Sequence, residues 1–127
     1  MISHRQADLL DQYNQPSGKL NLNFTIGSDD YADGHTKYSV RTDSGIDFSH
    51  CNEHFKMEIR KILKDCGFKF WSDHTWKVVF PWEQVSERNY EQAFRNKMDE
   101  LERHLTSHEF AYSDIQDQNL VSLEITK

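Results

Sequence analysis

The chain reads as a two-layer α+β domain, and three observations predict it. An apolar stripe at helical spacing (Phe55, Ile59, Ile62, Leu63, Cys66) stops at Gly67, and two aromatic strands follow. Leu20, Leu22, Phe24 and Ile26 alternate with Asn21, Asn23 and Thr25, the period of a half-buried strand. Tyr90, Phe94, Met98, Leu101 and Leu105 form a second helical stripe beside a face of alternating charge.

The elements follow in order. Residues 2–13 suit a short helix with Leu9, Leu10 and Tyr13 on one side, and 14–18 break it as a linker. The first strand covers Leu20 to Ile26, and a polar loop with Asp29, Asp30 and Asp33 follows. Tyr38 and Val40 mark a second strand over 37–41. Ser49 or Asn52 can cap the first main helix, and Glu53 suits the positive end of its dipole. Gly67 fits a left-handed helix cap. Phe68 and Phe70, then Trp76, Val78 and Phe80, alternate in two strands around the turn 72–75. Pro81 ends strand pairing, and Ser86 is the expected cap of the second helix. Val121, Leu123 and Ile125 mark a last strand, with a weaker one from Phe110 to Ile115.

This order predicts an antiparallel or mixed sheet carrying both main helices on one face. The simplest match is a ferredoxin-like β-α-β-β-α-β core with an added N-terminal helix and one extra strand. All 127 residues fit one domain, with residues 1–18 loosely docked. Leu22, Phe24, Ile59, Leu63, Phe70, Val78, Phe94 and Leu101 are expected to share one core.

Composition narrows the function classes. The formal net charge of -6 disfavours duplex nucleic acid or an anionic membrane as the main partner. It suits a partner with a basic surface. No apolar run is long enough to span a membrane, and the N-terminus lacks an apolar signal segment. Two cysteines do not make a disulfide framework, so a cytoplasmic location with reduced thiols is expected.

Seven histidines are many for this length. His50 and His54, with Cys51 between them, and His104 and His108 have the spacing of paired zinc ligands. Neither pair sits in a complete metal motif, and surface histidines at helix ends explain both, so no metal site and no cofactor are assigned. Cys51 beside His50 is the only candidate for a thiol of lowered pKa. Cys66 falls on the apolar stripe and reads as a buried structural thiol.

Trp71 is out of phase with Phe68, Phe70, Trp76 and Phe80, and Trp82 lies just past the strand end. Exposed aromatics mark interaction surfaces unless the N-terminal segment covers them. The leading expectation is a non-enzymatic protein-binding module of the inhibitor, immunity or anti-defence kind, of bacterial or phage origin. Its contact residues would be Trp71, Trp82, Asp29, Asp30 and Asp33. No catalytic residues are assigned. An alternative is single-stranded nucleic-acid binding through Lys56, Arg60, Lys64 and Trp71, where bases could stack beside cations. Another is a metal-dependent endoribonuclease with Asp29 and Asp30 on one Mg²⁺.

The string Leu63-Lys64-Asp65-Cys66-Gly67-Phe68, with the aromatics after it, resembles the helix–glycine–strand junction of virulence-associated protein D. It is similar also to that of the small CRISPR-adaptation nucleases. The resemblance is confined to that junction. It implies a ferredoxin-like fold and, as in some members, RNA cleavage, with Asp29 the only residue placed to carry the acidic role. A homodimer through an exposed C-terminal strand, Leu120–Thr126, is also expected.

Overall fold

A computed structural model describes residues 18–42, 45–71 and 75–127. The expected N-terminal helix and most of the turn at 72–75 lie outside these residues. The elements are β1 (Lys19–Asp30), β2 (Thr36–Thr42), α1 (Glu53–Asp65), β3 (Lys69–Phe70), β4 (Trp76–Val79), α2 (Tyr90–Ser107), β5 (Ala111–Gln116) and β6 (Leu120–Thr126). Six strands form one open sheet in the order β3-β4-β2-β1-β6-β5. All its pairings are antiparallel.

That order departs from the ferredoxin-like expectation. β2 and β3, joined by α1, flank β4 as a split β-α-β unit does, but β4 and β5, joined by α2, are separated by β2, β1 and β6 where a second such unit needs one strand. The β1–β2 hairpin forms the centre instead. The chain then lays a helix and a hairpin against each side of it, so that β4 pairs with β2 and β6 pairs with β1. The C-terminal strand is therefore paired along both sides and is not an edge, which removes the expected dimer contact. Two-residue β3 and six-residue β5 are the edges.

Alternation along β1 sends Leu20, Leu22 and Phe24 into the core and Asn21 and Asn23 to the opposite face. Val40, Val121, Leu123 and Ile125 line the same inner face. Both helices cover it, through Phe55, Ile59, Ile62 and Leu63 of α1 and Phe94, Met98, Leu101 and Leu105 of α2. Each fully buried side chain contributes roughly 1.5–3 kcal/mol. Most of the expected core is found there, and Val78 packs against its margin. Phe70 is the exception at 59% exposed, since β3 lies at the sheet edge, where only Phe68 before it reaches the core.

Asn52 caps α1 by accepting from the Phe55 N–H at 2.9 Å. Ser86 does not cap α2, which begins at Tyr90 after a turn closed by the Asn89 side chain on the Ser86 N–H. β1 runs on through Asp29 and Asp30 because β2 pairs with it there, Asp29 opposite Lys37 and Asp30 opposite Thr36. At the other end of β1 the Lys19 N–H donates to the His50 carbonyl. A Cβ on Gly18 would stand 2.7 Å from the Cys51 Cα, so this crossing requires glycine.

Candidate nucleic-acid interface

The sheet edge at β3 gathers aromatic and cationic side chains on both of its faces. On the helix side, a cleft of about 600 Å³ opens between α1 and β3. Ile46, Phe48, Phe70 and Trp76 supply its apolar lining, and Arg60 and Lys64 supply its charge. Helical spacing explains the cations. Lys56, Arg60 and Lys64 recur every four residues on α1, flanking the stripe that faces the core. Arg60 and Lys56 both lie over the Phe48 ring, at 5.4 and 5.8 Å from its centroid. Phe70 meets Trp76 edge to face at 5.8 Å, which leaves much of the Phe70 ring open to solvent. A second hollow, shared by Lys64, Lys69 and Phe70, continues past the Gly67 turn.

Strand alternation sends Trp71, with Lys69 and Lys77, to the face of the sheet that no helix among the described residues covers. Trp71 is 46% exposed and stacks over the Lys77 ammonium at 4.9 Å. Lys77 also reaches Asp29 at 3.5 Å, and Asp29 is paired more closely with Arg41. Arg41 in turn donates to the Ser39 hydroxyl at 2.8 Å. The sequence-based nucleic-acid set is thus divided. Lys56, Arg60 and Lys64 stand on one side of the edge strand, and Trp71 stands on the other.

The protein-contact set is divided further. Asp29 lies on the open face, while Asp30 points to the opposite face and accepts from the Thr36 hydroxyl at 2.7 Å. The two carboxylates therefore point to opposite faces of β1 and are held by different partners. Asp33 accepts from the His35 backbone N–H, which holds its carboxyl below the usual range. The His35 ring stacks on Trp82 at 3.8 Å. Asp33, His35 and Trp82 therefore form one cluster at the β1–β2 hairpin tip, at the end of β4 remote from Trp71.

At the α1 start His54 and Cys51 each have another partner. His54 pairs with Glu58 at 2.6 Å, and the Cys51 thiol donates to the Lys19 carbonyl. Burial, with Asp47 nearby, pushes the Cys51 thiol up, which corrects the expectation of a lowered pKa. Cys66 is buried as expected, and burial pushes its thiol up to about 11. His108 turns towards Glu58, which Lys127 also holds at 2.7 Å.

Reasoning from sequence missed Phe48. It sits in an irregular segment with no periodicity to flag it, and only folding places it under Arg60. Among the described residues no helix is long and apolar enough to cross a membrane. No protein-family model matches the chain, and no curated protein matches it.

Proposed function

We propose that this protein binds single-stranded nucleic acid along the β3 edge. The observation that carries the reading is the pairing of exposed Phe70 with Arg60 and Lys64 around one open cleft. Every base offers a π-face to an aromatic ring, and the adjoining cations meet the phosphates. Duplex DNA hides those faces, so discrimination against it is expected.

The overall negative charge does not oppose this, because the charge is segregated. Residues 53–80 carry six Lys or Arg against four Asp or Glu, whereas 90–126 carry three against eight. Screening confines each region's field to about 8–10 Å at physiological salt, so a bound strand meets the basic region alone.

Fluorescence anisotropy with a labelled single-stranded oligonucleotide tests the reading. Binding should weaken as salt rises. Phe70→Ala should cost about 1–3 kcal/mol of affinity, the worth of one stacked base. Arg60→Ala and Lys64→Ala should each reduce the salt slope by about one. No binding, or binding indifferent to all three substitutions, rejects it.

A second reading, a protein-binding module of the inhibitor or immunity kind, is favoured by the hairpin tip. There Trp82 remains 42% exposed although it stacks on His35. Capture of a stoichiometric protein that Trp82→Ala releases, with no affinity for single strands, would select it.

A further inference from the structure

A second chemistry-bearing cluster lies where α1 ends against α2, apart from the cleft. Cys66 is the residue that caps α1, and it is 1% exposed. Glu100 and His104 stand one helical turn apart on α2, so both point the same way. One ligand-type atom from each of the three lies within 4.8 Å of the others. The arrangement is braced from the side. Lys97 donates to the Cys66 carbonyl at 2.8 Å and to Glu100 at 2.8 Å, which holds the carboxylate against the turn.

We propose that Cys66, Glu100 and His104 bind a divalent transition-metal ion of the zinc type. Bonds of about 2.0–2.3 Å suit zinc to sulfur, nitrogen and oxygen, and bring tetrahedral ligands within about 4 Å of one another. Small side-chain adjustments reach that spacing. A thiolate, an imidazole and a carboxylate select zinc or cobalt over magnesium or calcium, which prefer all-oxygen shells. Charge supports the choice, because one thiolate and one carboxylate neutralise the dication. Lys97 keeps its bond to the Cys66 carbonyl and stays outside the ligand set. On binding, the thiol proton leaves to solvent and a sulfur–metal bond forms, with no change of oxidation state. The fourth position falls to water. The ion would join the C-terminus of α1 to α2, next to the Gly67 turn that launches β3.

The sequence hid this site because its ligands come from both helices. Spacing pointed to His104 with His108, whereas folding sets His104 beside Cys66 and sends His108 to Glu58.

Cobalt titration of the full chain, stripped of metal and kept reduced, tests the proposal. The expected result is a saturable thiolate-to-cobalt charge-transfer band at one equivalent, with four-coordinate d–d bands, both displaced by zinc. Cys66→Ser should abolish the charge-transfer band. His104→Gln, at a less buried position, should weaken cobalt binding at least tenfold while the chain stays folded. His108→Gln and Cys51→Ser should leave the titration unchanged. No charge-transfer band, a cobalt affinity unchanged by His104→Gln, or a band that disappears with Cys51→Ser overturns the assignment.

Discussion

Helix α1 passes its chain to the sheet through Cys66, Gly67 and Phe68, and α2 does so through His108, Glu109 and Phe110. The hydrogen bonds correspond one for one. Cys66 donates to Ile62, Gly67 to Lys64 and Phe68 to Leu63, while His108 donates to His104, Glu109 to Thr106 and Phe110 to Leu105. Both turns use a left-handed residue, Gly67 at φ 90° and Glu109 at φ 65°. Both then bury a phenylalanine and enter a hairpin whose second strand pairs with the central one. Past that point the units diverge. The α1 unit ends in a two-residue edge strand with open aromatics and excess positive charge. The α2 unit ends in a six-residue edge strand with excess negative charge. One architecture thus supplies the same core contribution twice, and the residues outside the core give each edge its own chemistry.

The largest effects should show the units as equals. Phe55→Ala and Phe94→Ala each remove a fully buried ring, one from each helix, and each should cost about 3–5 kcal/mol in chemical denaturation. A loss below about 1 kcal/mol at either would break the equivalence.

Within the α1 unit, Phe68 and Phe70 should part company. Phe68→Ala should cost about 3–5 kcal/mol, because the side chain is buried against Phe24. Phe70→Ala should cost less than about 1 kcal/mol of stability, since most of the ring is already in water. A large loss at Phe70 would make it a core residue and remove it from the proposed interface.

The two left-handed turns should respond with opposite signs. A side chain in this conformation costs about 1–2 kcal/mol, so Gly67→Ala should destabilise by about that amount. Its Cβ would meet Val78 only at 3.5 Å, so backbone conformation, not crowding, sets the cost. Glu109→Gly should stabilise by up to about 1 kcal/mol, the relieved strain less the entropy glycine loses. Changes of the same sign would mean that the turns are not equivalent.

The smallest effect is confined to the acidic unit. Burial, then hydrogen bonding to Asp114 and its charge, push the Glu102 carboxyl from 4.5 up to about 7. The folded chain therefore keeps a proton that the unfolded chain releases, and stability should fall as pH rises from 4.5 to 7. Asp114 is shifted down by the same contact, so its contribution is lost only in more acidic solution. Glu102→Gln should flatten the fall across pH 4.5 to 7 in denaturation midpoints. An unchanged slope would place its origin elsewhere.

By itself the sequence determined the α+β class, the inward stripe of each helix, the left-handed turn at Gly67 and nearly all of the core. Those features follow from periodicity and local conformational preference, which neighbouring residues carry along the chain. Tertiary structure alone decided the strand order, because several antiparallel arrangements bury the same inward faces. That order made β6 internal and left β3 as an edge, which brought Phe70 out of the expected core and into the cleft. It set Asp29 between Arg41 and Lys77, away from Asp30, and placed Phe48 beneath Arg60. Cys66 likewise joined Glu100 and His104 only when α1 packed against α2. Each of these juxtapositions joins residues distant in the chain, and the spacing of neighbours carries no record of them.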